Sequence, residues 1–220
     1  MHGRVVAEEV VVRVFESRHP PGGFIEPHRH QDAYVAIVLE GAYEESSVDG
    51  TWLCEAGDVV VHPRWHLHTD RFAGRRTRVL NVLAPLPVAP GVWRTRRVGT
   101  FAGTEALMRD LRGAEPIAPR PAPRSLARFT ASLSSGIARA AAGAGLSREH
   151  ASRLYRRHFG LAPRMARGEM QIRLALSLLV TTELPLSQIA LQAGFADQAH
   201  FTRRLRAATG RTPREIRQTR

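Results

Sequence analysis

The chain has 220 residues and carries 32 basic side chains, all arginine, against 20 acidic ones, a net charge of +12. This length suits one or two domains, and a hydrophobic share of 43% excludes a disordered or collagen-like chain. Apolar runs such as Val35–Leu39 are too short to cross a bilayer, so we expect no membrane partner. The absence of a signal-peptide pattern and the single cysteine, Cys54, favour a cytoplasmic location.

The positive charge is concentrated in one part of the chain. Residues 1–124 hold 16 Arg and 15 acidic residues, whereas residues 125–220 hold 16 Arg and 5 acidic residues. The net charges of the two parts are therefore +1 and +11. Such a localised excess indicates a nucleic-acid partner, although a merely solvated surface is the plainer alternative.

A proline-rich segment, Ala114–Arg124, marks the boundary between the two parts. Its prolines cannot continue a helix, so it predicts a semi-rigid linker. Just before it, Thr104–Arg112 predicts a short helix, capped by its threonine, that packs against a second subunit. The predicted domains are residues 1–100, residues 125–220, and a helix with linker over residues 101–124 between them.

The first part has the pattern of an all-β domain. Short apolar or β-branched runs separated by Gly and Pro predict strands at Val5–Val14, Tyr34–Leu39, Val59–Val61 and Val79–Leu83. Short strands at this spacing are typical of a sandwich or a barrel.

Two motifs in this part resemble those of the cupin family. They read Gly22-x5-His28-x-His30-x3-Tyr34-x6-Gly41 and Gly57-x5-Pro63-x-Trp65-x2-His68-x3-Phe72. Tyr34, Trp65 and Phe72 depart from the family's Glu, Gly and Asn. The resemblance implies a β-barrel with an internal ligand or metal pocket.

The three motif histidines predict a metal site. His28 and His30 share one face of a strand, and His68 would meet them from a distant hairpin. Three neutral imidazoles suit one divalent metal, Zn²⁺ or a similar ion. His62 and His66 are alternates.

The carboxylate missing at Tyr34 could come from Glu44 or Glu45. The alternative is a relic pocket whose histidines bond only each other or an organic ligand. Tyr34 and Trp65 are predicted to line an effector pocket.

The second part contains an internal repeat. Ala144–Ser147 matches Ala193–Ala196, and at an offset of 50 Gly160 and Pro163 match Gly210 and Pro213. Each copy predicts a helix-turn-helix unit, because a glycine stands where the tight turn needs a positive φ. The predicted first helices are Ile137–Ala142 and Leu186–Gln192, the latter capped by Ser187. Ser147 and Asp197 would cap the second helices.

The second helix of each copy has an apolar and a polar face. We expect Leu154, Tyr155, Phe159, Phe201 and Leu205 in the core. The opposite faces carry side chains suited to bases and phosphates, namely Arg148, Glu149, Ser152, Arg153, Arg156, Arg157, Gln198, His200, Thr202, Arg203 and Arg206. Between the copies, Pro163–Thr181 predicts one long helix, with Met170, Leu174, Leu178 and Val180 as its apolar residues.

The two segments AGLSREHASRLYRRHFGLAPR and LPLSQIALQAGFADQAHFTRRLRAATGRTPREIR resemble the AraC/XylS regulators. The resemblance implies base contacts from Glu149, Ser152 and Arg153, and from Gln198, His200, Thr202 and Arg203. It implies phosphate contacts from Arg156, Arg157 and Arg206. Gln171, where the family usually has Arg, and the small residues Ala151 and Ala199 depart from the pattern.

These observations predict a two-domain β + α protein, with an N-terminal cupin-like β-barrel and a C-terminal all-α double helix-turn-helix domain. Its expected function is that of a non-enzymatic transcriptional regulator, more specifically an activator, that binds promoter DNA in response to a small molecule or a metal. A homodimer is left open. The alternatives are a metal-dependent cupin enzyme with a basic appendage and a constitutive DNA-binding protein with a degenerate sensor.

Overall fold

The computed structural model describes residues 12–72, 74–83, 88–95 and 102–218. We call residues 12–95 the β-domain and residues 124–218 the helical domain. The strands are β1 (Arg13–His19), β2 (Phe24–His28), β3 (Tyr34–Glu40), β4 (Ala42–Ser47), β5 (Gly50–Glu55), β6 (Asp58–His62), β7 (His68–Arg71), β8 (Thr77–Leu83), β9 (Gly91–Arg94) and β10 (Glu115–Pro116). The helices are α1 (Thr104–Arg112), α2 (Arg124–Ala131), α3 (Ile137–Gly143), α4 (Arg148–Phe159), α5 (Pro163–Thr181), α6 (Leu186–Gln192), α7 (Gln198–Thr209) and α8 (Pro213–Gln218), with a 3₁₀ turn at Leu133–Ser135.

Two antiparallel sheets make up the β-domain. One has the strand order β1-β8-β3-β6-β9-β10 and the other β2-β7-β4-β5. Apolar side chains from both sheets, among them Val38, Val60, Tyr43 and Cys54, pack into one buried cluster. The predicted combination of a β-rich first part and a helical second part is confirmed.

Three predicted strands correspond to β3, β6 and β8. Of the predicted strand Val5–Val14, residues 5–11 lie outside the described residues, and β1 begins only at Arg13. The strand predicted to carry His28 and His30 is β2, but it ends at His28, so His30 lies beyond it. The strands β4, β5, β7, β9 and β10 were not predicted, because their sequences contain only a few apolar positions.

Helix α1 has the predicted bounds but a different packing partner. Leu107 and Leu111 are each 6% exposed, and they pack against Val35, Val59 and other residues of the first sheet. The prediction that this helix packs on a second subunit is therefore wrong for these leucines, because the chain's own sheet covers them. The residue that precedes the helix is Gly103, and no side chain caps it.

The proline-rich segment runs along the β-domain. Its first residues form the edge strand β10 against β9. Further on, the Trp52 indole N–H donates to the Ile117 carbonyl at 2.9 Å, and the Arg120 amide donates to the Thr51 carbonyl at 2.7 Å. The linker is thus held against the β-domain by hydrogen bonds to its backbone over most of its length.

The helical domain repeats the same arrangement around two cores. Helices α3 and α6 begin where predicted, and α5 spans the predicted range. Ser187 is not the cap of α6, because Pro185 precedes that helix and no side chain caps it. Helices α2 and α8 were not predicted. The buried residues of α5 include Ile172, Ala175 and Leu179. Of the four apolar residues named from the sequence, Met170 and Leu178 are partly buried against the two cores, whereas Leu174 and Val180 are exposed.

The β-domain contributes to both helical cores. Val48 and Leu67 join the buried cluster of the first unit, which includes Phe129 and Tyr155. Trp65 packs against the cluster of the second unit. The two domains therefore share apolar packing.

Candidate nucleic-acid interface and histidine cluster

Strand pairing brings the polar residues of the β-domain together. Three cross-strand pairs face one another in the registers Tyr34↔His62, His28↔His68 and Glu45↔Asp70. Because alternate residues point to the same side of a strand, these pairs meet between the two sheets. The Tyr34 and His62 rings are stacked with centroids 4.3 Å apart, and the His28 and His68 rings meet at a tilt with centroids 4.2 Å apart.

Five histidines form one cluster with two overlapping triads. His28, His30 and His68 make up one triad, and His62, His66 and His68 the other; within each, one ligand atom per residue lies within 4.8 Å of the others. The structure thus brings together the three predicted ligands and both alternates. His68 belongs to both triads and is buried, whereas His30 is exposed.

Backbone carbonyls orient the histidine rings. The His28 Nδ1 lies 2.9 Å from the Glu26 carbonyl, and the His68 Nδ1 lies 3.2 Å from the His66 carbonyl. A ring that donates from Nδ1 to a carbonyl keeps a free lone pair on Nε2, which is the arrangement of a metal-ligating histidine. The Tyr34 hydroxyl lies 3.1 Å from the His68 Nε2 and can donate to it.

Burial favours uncharged side chains in the cluster. Burial and the neighbouring His68 lower the pKa of His62, and burial and the neighbouring His28 lower the pKa of His68 to about 2. Burial raises the pKa of Asp70 to about 7, and burial beside Asp70 raises that of Glu45. Neutral imidazole is the form that binds metal, so the donor set fits a divalent ion.

Of the two glutamates predicted as metal ligands, one faces the histidine cluster and the other does not. Glu44 points outward and pairs with Arg120 at 2.8 Å, so it is not a ligand. Glu45 is 2% exposed and its Oε2 lies 3.4 Å from the His62 Nε2. Asp70, which the sequence prediction omitted, faces the same space, and its buried Oδ1 has no hydrogen-bond partner. Its signal was the spacing His68-x-Asp70, which places both residues on one strand face.

The two residues predicted for an effector pocket line different cavities. Tyr34 lines a cavity of about 180 Å³ inside the β-domain, together with His28, His30 and Asp70. Trp65 lines a cavity of about 450 Å³ between the domains. Trp65 has a φ of 58° where the cupin motif has glycine, and its buried indole Nε1 has no partner.

A polar network crosses the domain boundary next to the larger cavity. The Arg173 Nη1 of α5 contacts both carboxylate oxygens of Asp49, at 2.8 and 2.6 Å. The Arg173 Nε contacts Glu169 at 3.0 Å, and Arg29 of the β-domain also pairs with Glu169. The sequence prediction missed these four residues. One signal was Glu169, the single acidic residue in a long arginine-containing helix and four residues from Arg173.

The two helix-turn-helix units have matching local geometry. Gly145 and Gly194 have φ values of 70° and 79° in the turns. Ser147 accepts from the His150 amide at 3.2 Å, and Asp197 accepts from the His200 amide at 2.6 Å. These contacts confirm the predicted turn glycines and the predicted caps of α4 and α7.

The predicted DNA-contacting side chains lie on the open faces of α4 and α7. Exposed residues are Arg148, Glu149, Arg153, Arg156, Arg157, Gln198, Arg203 and Arg206, and half-buried ones are Ser152, His200 and Thr202. The Ser152 hydroxyl donates to the Arg148 carbonyl at 2.8 Å, so it is free only to accept. The β-domain instead contacts the other end of α4, where the Thr51 hydroxyl donates to the His158 carbonyl at 2.6 Å.

Sequence comparison covers this same region. Residues 140–219 match the family described as a helix-turn-helix domain. A stretch of 69 residues is 41% identical to the ornithine utilization regulator of Pseudomonas aeruginosa, and 72 residues are 35% identical to the arabinose operon regulatory protein of Escherichia coli K12. The C-terminal part of this chain is an AraC/XylS-type helix-turn-helix domain.

The matches to these regulators cover only part of each chain. The matches cover 30% and 33% of this chain, and 20% and 25% of the two regulators. The chain thus spans about a quarter or less of the curated relatives it matches. Among solved structures, fatty acid-bound ToxT from Vibrio cholerae is 13% identical with a TM-score of 0.43, and the match covers 94% of each chain.

Proposed function

We propose that this chain is a transcriptional regulator whose AraC/XylS-type domain binds double-stranded promoter DNA through α4 and α7. The main observation behind the proposal is that the long helix α5 connects two helix-turn-helix units, each with an exposed recognition helix. Its 19 residues span about 28 Å, close to the spacing of about 34 Å between successive major-groove segments. The charge of +11 in residues 125–220 supports phosphate contact.

Selection of bound genomic fragments by the full-length chain tests this proposal. We expect enrichment of one motif with two half-sites about 10 base pairs apart. The dependence of affinity on salt gives the number of phosphate contacts, and the mass of the complex gives the number of protein copies. Enrichment of no sequence would contradict the proposal.

Two variants that each lose one positive charge distinguish phosphate contact through α4 from a general effect of net charge. Arg157→Ala should weaken binding to every duplex and reduce the slope of log affinity against log salt by about 0.9. Arg75→Ala removes the same charge from an exposed position of the β-domain and should leave the slope unchanged. Equal effects of the two variants would count against contact through α4.

We also propose that the β-domain is the sensor and that its histidine cluster binds one divalent metal. The lowered pKa values of buried His62 and His68 and the carbonyl-oriented rings of His28 and His68 support this proposal. The histidines of the cluster come from both sheets, with His62 on β6 of one sheet and His28 and His68 on β2 and β7 of the other. The resemblance favours activation of transcription as the response.

Metal analysis of the purified chain tests the sensor. His68→Ala should abolish stoichiometric Zn²⁺ because His68 belongs to both triads, whereas His150→Ala, on exposed α4, should not. Loss of promoter binding with a chelator supports metal sensing, and unchanged binding supports a degenerate sensor. Turnover of a substrate by the metal-loaded chain would favour the enzyme alternative.

A further inference from the structure

The spacing of two imidazole nitrogens in the triad of His62, His66 and His68 suits a shared metal ion. The His62 Nδ1 and the His66 Nδ1 lie 3.3 Å apart. Two nitrogens bound at about 2.0–2.1 Å to a tetrahedral zinc are separated by about 3.3–3.4 Å. His62 and His66 therefore already have the separation that a shared metal requires, and buried His68 supplies the third ligand.

The opposite nitrogens of the same two rings face carboxylates. The His62 Nε2 lies 3.4 Å from the Glu45 Oε2, and the His66 Nε2 lies 3.7 Å from the Asp49 Oδ2. Ligating histidines commonly donate their second N–H to a carboxylate, which orients the ring and raises its basicity. Two carboxylates would also offset the charge of a dication in a buried site.

One of these carboxylates is held from the other domain. Asp49 lies in the turn between β4 and β5, and Arg173 of α5 contacts both of its oxygens, at 2.8 and 2.6 Å. Arg173 also contacts Glu169, which pairs with Arg29 next to the histidine-bearing end of β2. An unbroken chain of polar contacts thus leads from His66 to the helix that carries both recognition helices.

We propose that His62, His66 and His68 hold the metal, and that Asp49 and Arg173 couple its binding to the docking of α5 on the β-domain. The inference rests on the proposed metal-sensing function and adds the route by which occupancy reaches the DNA-binding domain. Undocking of α5 would leave Asp49 without its partner and free to turn away from His66. By linkage, metal strengthens docking by the same factor by which docking strengthens metal binding.

Zn²⁺ affinity of full-length variants, measured by competition with a chelator, tests the coupling. Asp49→Asn should weaken Zn²⁺ binding about 10- to 100-fold, as expected for a residue that orients a ligand. Arg173→Gln, which contacts no histidine, should weaken it about fivefold or more. Arg167→Gln is the matched control, because Arg167 lies on the same helix and, among the residues that the structure describes, its side chain donates to the Ser134 carbonyl alone.

The reciprocal measurement is thermal unfolding followed by helical circular dichroism. Zn²⁺ should raise the midpoint more in the wild-type chain and in Arg167→Gln than in Arg173→Gln. Wild-type Zn²⁺ affinity in Arg173→Gln would overturn the coupling while metal sensing stands. Metal binding that survives His66→Ala but not His28→Ala would overturn the choice of triad. A wild-type chain that binds no Zn²⁺ would overturn both the inference and the metal sensor.

Discussion

Replacement of Leu67 by alanine should lower the free energy of unfolding of the helical domain. Leu67 belongs to the β-domain but is 6% exposed within the core of the first helix-turn-helix unit. Leu67→Ala removes three carbon atoms, which at about 0.8 kcal/mol each amounts to about 2.4 kcal/mol of lost transfer free energy. A residual cavity could raise the cost towards about 5 kcal/mol, and collapse or undocking would hold it near the lower value.

Urea unfolding with two signals measures this effect. Trp52, Trp65 and Trp93 all lie in the β-domain, and Trp65 also packs against the second helical core. Tryptophan fluorescence therefore reports on the β-domain and its contact with the helices, and far-ultraviolet circular dichroism reports on the helices. Leu67→Ala should lower the midpoint of the helical signal. Leu53→Ala, at a β-domain position that is 58% exposed, is the control and should change stability by about 0.5 kcal/mol or less. Identical midpoints for the two variants would refute the shared core.

Three further variants test local features of the fold and the interface. Asp197→Ala removes the cap of α7 and should lower the free energy of unfolding by about 1 kcal/mol; an unchanged urea midpoint would contradict the cap. Gly160→Ala should cost about 1–2 kcal/mol or more in the same assay, since φ is +66° and a Cβ would lie 2.8 Å from the Thr69 hydroxyl; a more stable variant would contradict this. Arg203→Ala should weaken binding to the selected motif by about 1–3 kcal/mol relative to random duplex, and undiminished discrimination would exclude base contact.

The helical domain was predictable because its signals are local. A turn glycine, a helix cap and a helical spacing of apolar residues can each be recognised within a few consecutive residues. Each of these signals occurs twice, once in each copy of the repeat. Gly145 and Asp197 accordingly occur where expected. The buried residues of α5 were not predictable from its own pattern, because the helix packs against both helical cores and also borders the cavity between the domains.

The histidine cluster was predictable in composition but not in arrangement. Motif spacing identified His28, His30 and His68. The other residues that face the cluster depend on how the strands pair, which the sequence does not show. Asp70 enters through its pairing with Glu45, a contact between residues 25 positions apart. The role of Asp49 could not be predicted from the sequence, because its partner Arg173 is 124 residues away and no local pattern connects the two residues.

The apolar contribution of Val48 and Leu67 to the first helical core has an evolutionary consequence. A recognition module completed by its neighbour cannot be transplanted into another protein without leaving a hydrophobic surface uncovered. Recombination that exchanged the sensor would have to supply equivalent side chains in the same place. We therefore expect the β-domain and the helical domain to evolve as a pair, more strictly than DNA binding and ligand binding alone would require.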